Sequence, residues 1–333
     1  LEKILLGMSG GIDSSAAAIV LKEMGYEVAG ITLSLGKGCC AFQNASAVSK
    51  YLGIKWQVYN SDKDFRRTVI DYTINEYKRG RTPNPCAVCN KDIKFRILLK
   101  IADEMGIEKV ATGHYARVKN ENKRYMLMKG RDREKSQEYF LAMLTQGQLS
   151  RAFFPLGDRT KVDTKKITKD LPVQKWIESQ DICFVKDGKR IGGLIENKEG
   201  DIIDEDGRLL GKHKGIFHYT IGQRRGIGIS SQTPMYVLRI IPEKNTIVVG
   251  KEKALYKRRF LISRPNWIFK ETPDFPIEAE AKIRYKFKPA QAIIDKNVIE
   301  FREPQKSITP GQLAVFYKGD YVLGAGWIKE VIE

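Results

Sequence analysis

The chain has 333 residues, 42% hydrophobic and 29% charged, a balance ordinary for a globular protein rather than a disordered or membrane one. That length implies two or three domains, and no apolar run approaches the roughly 18 residues of a membrane-spanning helix. Lys and Arg outnumber Asp and Glu 58 to 40, a net charge of +18 that suits a polyanionic partner, although a lysine-rich solvated surface has the same balance.

The opening stretch LEKILLGMSGG has neither a secretory n-region nor a cleavage site, so a cytoplasmic protein is expected. Lys3 to Gly7 reads as a short apolar strand, followed by a glycine turn and the helix-favouring run SSAAAIVLKEMG. Tyr26 to Leu33 predicts a second buried strand, Gln43 to Leu52 a helix ending at Gly53, and Lys55 to Tyr59 a third strand. Phe65 to Lys78 and Lys91 to Met105 predict helices, with a fourth strand at Lys109 to Thr112. This alternation argues for a parallel sheet covered by helices. After about residue 185 helical periodicity fades and short β-rich runs appear: MYVLRII, NTIVVG and FLIS. A break at residues 253–260 separates them from AEAKIRYKF, AQAIID, NVIEF and QLAVFYKGDYVLGAGWI, which read as a small antiparallel barrel.

The turn after the first strand carries Gly7, Met8, Ser9, Gly10, Gly11, Ile12, Asp13 and Ser14. At a strand-to-helix junction the backbone N–H groups and the helix dipole form a site for phosphate, and Gly10 and Gly11 let the backbone close around its oxygens. Ser14 and Ser15 are candidate phosphate donors, and Asp13 a helix cap or a magnesium ligand. No Walker lysine follows, and the bland alternative is a capped helix after a glycine turn. The SGGxDS string resembles the pyrophosphate-binding PP-loop of ATP-dependent synthetases, which leaves the second substrate open.

Five cysteines, an odd number, point to thiol or metal chemistry rather than a disulfide framework. Cys86 and Cys89 lie in TPNPCAVCNK, a proline-stiffened loop before a helix whose dipole is expected to lower the Cys89 pKa. Cys183 lies in SQDICF, just before the change of pattern, and taken alone could be a small buried hydrophobe. Cys39 and Cys40 form an adjacent pair in the loop after the second strand, read by default as a surface or partly buried thiol pair.

Together NPCxxCN and SQDICF resemble the tRNA-specific 2-thiouridylase family, and GMSGGIDSS, TGHYAR, SQEYFL, YTIGQRRG and TPGQ occur in that family's order along nearly the whole chain. The resemblance implies an α/β fold: an N-terminal parallel-sheet PP-loop domain of the adenine nucleotide alpha hydrolase-like kind (1–187), a small central β-rich domain (188–256) and a C-terminal β-barrel (257–333). It implies Cys89 as nucleophile and Cys183 as persulfide carrier, with ATP bound by Gly7 to Ser14, by Leu33 and by Gly113. Contacts to tRNA would fall on Asn84, Pro85, Cys86, His114, Lys135, Ser136, Gln137, Arg284, Tyr285 and Gln312. Tyr285 read alone could be a barrel residue, and His114 a satisfied loop histidine.

The implied reaction is ATP-dependent 2-thiolation of the wobble uridine of lysine, glutamate and glutamine tRNAs, with magnesium, forming AMP and pyrophosphate. The sulfur donor would be a cysteine desulfurase or a persulfide relay protein, and no membrane partner is expected. Part of the family has Asp where this chain has Cys86. Cys86, Cys89 and Cys183 could therefore instead ligate an iron–sulfur cluster; otherwise no metal ligands are expected. Another PP-loop synthetase, or a non-catalytic RNA-binding protein on a nucleotide fold, remains as an alternative.

Overall fold

The computed structural model describes residues 1–35, 42–173, 175–176, 184 and 195–332. Strands β1 (Lys3–Gly7), β2 (Glu27–Ser34), β3 (Lys55–Asn60), β4 (Lys109–Thr112) and β7 (Ala152–Phe153) form an all-parallel sheet in the order β3-β2-β1-β4-β7. Such a sheet must be covered on both faces, which explains why its strands are continuous apolar runs. Along β1 the side chains alternate: Leu5 packs into one core with Ile31, Leu98 and Val110, while Ile4 and Leu6 pack into another with Ala17, Leu21 and Ala111. β1 lies between β2 and β4, so the chain order reverses beside it, and a crevice opens at the carboxyl ends of β1 and β4.

Two of the covering helices depart from the sequence expectation. The first runs over 62–78 with a π-helical stretch at Arg66–Ile70, beginning before Phe65. The second begins at Pro85 rather than Lys91 and runs to Glu104, with a π-helical stretch at Asn90–Phe95. The prolines that made TPNPC read as a loop are compatible with a helix start: Pro85 takes the first helical position and Asn84 caps it, its side chain accepting from Ala87 N at 3.3 Å.

The hairpin of β5 (Ala116–Glu121) and β6 (Arg124–Lys129) leaves this domain and pairs with the barrel through Met128 and Tyr321. Strands β8 (Gly200–Ile203), β9 (Leu209–His213), β10 (Tyr236–Ile241) and β11 (Thr246–Gly250) make a four-stranded central sheet. The barrel comprises β12 (Tyr256–Trp267), β13 (Ile277–Lys282), β14 (Ala290–Asp295), β15 (Val298–Lys306), β16 (Leu313–Lys318) and β17 (Tyr321–Val331), closed by the pairing of β12 with β17. Inside it lie Phe260, Ile294, Phe301 and Phe316. The expected break at 253–260 is shorter, a 3-10 turn at Glu252–Leu255, because the arginines of KRRF lie on the exposed part of β12. The run AEAKIRYKF is not one strand: β13 stops at Lys282. Ala281 pairs with Ala290, so the next partner would be Pro289, which has no N–H to contribute. Residues 283–289 therefore leave the sheet and turn toward the parallel-sheet domain. Among the described residues no helix is long and apolar enough to cross a membrane.

Candidate active site

A cleft of about 1000 Å³ lies at the carboxyl ends of β1 and β4, walled on one side by the helix that starts at Pro85 and on the other by residues 282–289. Its floor is the glycine turn. Gly10 has φ 78°, a conformation that favours glycine, and Gly11 is the N-cap of the helix Ile12–Glu23. Ser9 N donates to Ser14 Oγ at 3.2 Å, Ser14 Oγ donates to Gly11 O at 3.0 Å, and the Ser9 and Ser14 hydroxyls are 3.3 Å apart. Ser15 is fully buried and its hydroxyl bonds Gly11 O at 3.1 Å, so it is turned away from the phosphate position expected of it. Gly113, just past β4, touches the turn: a Cβ there would lie 2.7 Å from the Asp13 carbonyl carbon and 2.8 Å from Ser14 N. That contact explains how a residue 99 positions after Ser14 belongs to the same site.

Asp13 does not cap its helix. Its Oδ1 instead lies 2.5 Å from Lys161 Nζ and 2.9 Å from the Tyr115 hydroxyl, which is also 2.7 Å from Thr164 Oγ1. Lys161 was missed from the sequence. It starts a helix, Lys161–Ile167, whose capping box of Thr160 and Asp163 was legible as T-x-x-D, but nothing local said that this helix meets the glycine turn.

Cys86 and Cys89 both line the cleft, Cys89 only 5% exposed. Because the helix begins at Pro85, Cys86 is in its first turn and Cys89 in the second, adjoining the π stretch. Both cysteines therefore lie within the helix rather than in a loop ahead of it, where the sequence expectation put them. Asn90 donates to Phe140 O at 3.2 Å, and the Phe140 ring lies 4.5 Å from that of Tyr285. Tyr285 is thus a cleft residue on a loop, not a barrel strand residue.

Of the remaining expected site residues, Met8, Leu33, Pro85, His114, Lys135, Ser136 and Gln137 line the same cleft, whereas Gly10, Gly11 and Ile12 are not part of its lining. The His114 ring sits against Phe154 with Nδ1 2.7 Å from Thr112 Oγ1. Burial, with the Lys94 charge adding to it, pushes its pKa down to about 3, so the ring is neutral. Ser136 is buried, accepting from Gly130 N at 2.7 Å and donating to Glu138, while Gln137 accepts from Tyr115 N at 3.0 Å. Both brace the segment that presents Lys135.

Asn84, Arg284 and Gln312 do not reach the cleft surface. Asn84 serves as the cap. Arg284 is held by Ile221 O at 2.8 Å and by Thr309 Oγ1, which ties the loop after β13 to the YTIGQ segment of the central domain. Gln312 donates to Thr82 O at 3.1 Å and Pro83 O at 2.9 Å, and Thr82 N donates to Pro310 O at 2.9 Å, so TPGQ braces TPNPC. Cys183, Cys39 and Cys40 lie outside the described residues. Phe184 is described; its ring meets Phe65 edge-on at 5.6 Å and lines the cleft. Among the described residues no three His, Cys, Asp or Glu side chains converge on a metal position. The described lining carries six cations, Lys94, Arg133, Lys135, Lys282, Lys286 and Lys288, against the carboxylates of Asp13 and Glu134.

Three family models match in sequence: the tRNA methyl transferase HUP domain over residues 2–187, the tRNA methyl transferase PRC-barrel domain over 189–251, and the aminomethyltransferase beta-barrel domain over 257–328. The chain is 43% identical to the tRNA-specific 2-thiouridylase MnmA of Halothermothrix orenii, with 99% of each chain covered. It is 44% identical to the tRNA-specific 2-thiouridylase MnmA 1 of Clostridium botulinum strain Loch Maree, again over 99% of each. The chain belongs to the tRNA-specific 2-thiouridylase family. The family match accounts for the order of motifs along the chain, from the glycine turn to TPGQ. A 4-thiouridine synthetase solved with RNA and ATP aligns loosely, with TM-score 0.33 and 19% identity, covering 50% of this chain and 40% of that one.

Proposed function

We propose that this protein is a tRNA-uridine 2-sulfurtransferase that activates the uridine 2-oxygen with ATP and replaces it with sulfur. The observation that carries the reading is a single cleft joining the Ser9–Ser14 turn to the Cys86–Cys89 helix beneath a cationic wall. A methyl transfer, which the family description names, would not need a turn built for pyrophosphate. The nucleotide phosphates would lie over the turn, where backbone N–H groups and the Ser9 and Ser14 hydroxyls can donate to them. Asp13 is the carboxylate at that end, and one carboxylate together with substrate phosphates fits the usual holding of Mg²⁺. Lys161 would balance the Asp13 charge.

The target base cannot react while stacked in an anticodon loop, so it would be turned out into the cleft against Tyr285. The 2-oxygen would attack the α-phosphorus of ATP, releasing pyrophosphate. A persulfide on Cys183 would then attack carbon 2 and displace AMP, and the Cys89 thiolate would attack Cys183 Sγ. Sulfur would stay on the base, leaving a Cys89–Cys183 disulfide to be reduced. Cys183 enters by family resemblance, as do the wobble position, the lysine, glutamate and glutamine tRNAs and the persulfide donor. The domain limits 1–187, 188–256 and 257–333 are part of the same reading.

The test is reconstitution with ATP, Mg²⁺, unmodified tRNA and a persulfide donor, with 2-thiouridine measured by mass spectrometry and pyrophosphate by enzymatic assay. Cys89→Ser is expected to release pyrophosphate but form no thiolated base. Pyrophosphate release indifferent to tRNA would overturn the reading. Cys86→Ala separates the persulfide route from the cluster route: it keeps thiolation under the first and loses iron and thiolation together under the second.

A further inference from the structure

We propose that Lys282 is a phosphate-binding residue for the target nucleotide, its ammonium receiving an RNA phosphodiester that flanks the uridine turned into the cleft. The proposal rests on the tRNA reading above and adds a residue to it.

Lys282 ends β13, at the point where Pro289 halts strand pairing and the chain turns over the cleft. Its side chain is half-buried and lines the cleft, yet among the described residues it makes no hydrogen bond and no salt bridge. Its ammonium instead stands 5.3 Å from the centroid of the Tyr285 ring and 5.6 Å from that of Tyr139. Ring faces attract a cation but accept none of its three N–H bonds in the way an oxygen does. A cation partly withdrawn from water without an acceptor is costly to keep unless a ligand supplies one.

The nearby groups do not fill that need. The Glu138 carboxylate attracts Lys282, but it is buried and engaged by the Ser136 and Tyr317 hydroxyls, the latter at 3.0 Å. Lys129 repels Lys282 and is itself occupied by Gly319 O at 2.8 Å. Burial therefore holds the Lys282 pKa below the ordinary lysine value, and an incoming anion would be expected to raise it again.

The position selects RNA over nucleotide phosphate. Tyr285 packs on Phe140, whose carbonyl accepts from Asn90 in the cysteine helix, so Lys282 stands at the base-receiving end of the cleft. The ATP phosphates belong to the glycine turn, where the donors are backbone and serine groups.

The experiment measures binding of full-length tRNA by wild type, Lys282→Met, Lys282→Gln and Lys282→Arg across a salt series. ATP affinity without RNA is measured in parallel as a control for folding. Lys282→Met is expected to bind tRNA about ten- to hundred-fold more weakly. Its log–log salt slope should be shallower by about 0.7–0.9, the share of one phosphate, while Lys282→Arg keeps the slope. A tRNA with neutral methylphosphonate linkages flanking the target uridine should weaken wild type to the same degree and weaken Lys282→Met no further. Lys282→Gln carries the comparison if the methionine variant loses ATP binding through misfolding. An unchanged slope in both uncharged variants, or a loss of ATP affinity in the folded glutamine variant, would overturn the proposal. A wild type with no salt-dependent tRNA binding would instead defeat the RNA reading itself.

Discussion

At the turn end of the cleft the hydroxyls of Ser9 and Ser14 belong to residues five apart and lie 3.3 Å from each other; at the barrel end Gln312 reaches the carbonyl of Thr82, 230 residues away, at 3.1 Å. The first end is made from one contiguous strand, turn and helix, with Asn44, Gly113, Tyr115 and Lys161 reaching it from elsewhere. The second end exists only when β16 and β17, the central sheet and the proline segment are all docked. Arg81 bonds Ile328 O at 3.1 Å, Arg284 bonds Ile221 O, and Arg133 reaches both oxygens of Asp320 at 2.7 and 2.8 Å. Nucleotide binding should therefore survive damage to the barrel contacts, whereas RNA binding should not.

The largest expected effect is at the turn. Asp13→Asn keeps a group that can accept from Lys161 and Tyr115 but removes the negative charge, and tRNA-dependent pyrophosphate release should fall by roughly 100-fold or more. Binding of tRNA should change little. A variant that releases pyrophosphate normally would remove Asp13 from the phosphate end.

Gly113→Ala tests how far the turn depends on its contact with the segment after β4. The new Cβ would press on the Asp13–Ser14 backbone at 2.7–2.8 Å, a clash that costs about 1–3 kcal/mol of stability. ATP affinity by calorimetry should drop, with the salt slope of tRNA binding preserved. Equal losses of ATP and tRNA binding would show that the two ends are not separable.

Gln312→Ala reverses the comparison. It leaves the Thr82 and Pro83 carbonyls without their amide partner, a loss of about 1–3 kcal/mol, and it loosens the segment that leads to Cys86 and Cys89. The expected outcome is a raised KM for tRNA with an unchanged Kd for ATP. A shift confined to ATP would contradict the role of TPGQ as a brace for TPNPC.

The smallest effect concerns His114, between the two ends. With its pKa pushed down to about 3 from 6.5, it binds fewer protons folded than unfolded between those values. Its stabilising contribution is complete above about pH 6.5 and is lost as pH falls toward 3. Its imidazole NMR resonances should not titrate between pH 5 and 8 in folded protein, and His114→Gln should lessen the loss of stability on acidification. An inflection near pH 6.5 would mean that the ring is wetter than the cleft geometry indicates.

The parallel-sheet domain, the glycine turn and the closed barrel were legible in the residues because each rests on local chemistry: apolar runs of strand length, a glycine pair before a helix, and alternation between turn residues. The family motifs were legible too, but not what several of them do. YTIGQ and TPGQ read as markers, and only the packed chain makes them braces, since Gly222 and Gly311 take positive φ where Ser307 and Thr82 press close. Arg284 and Gln312 read as RNA contacts, and their donors point into protein. The cysteine helix was placed six residues late because two prolines outweighed an asparagine cap. Lys161 and Lys282 carried no local signal at all. Sequence spacing sets which groups can share one turn of helix or one face of a strand, but which distant groups meet depends on the docking of whole sheets, and the partners of Asp13, Thr82 and Tyr285 are chosen there.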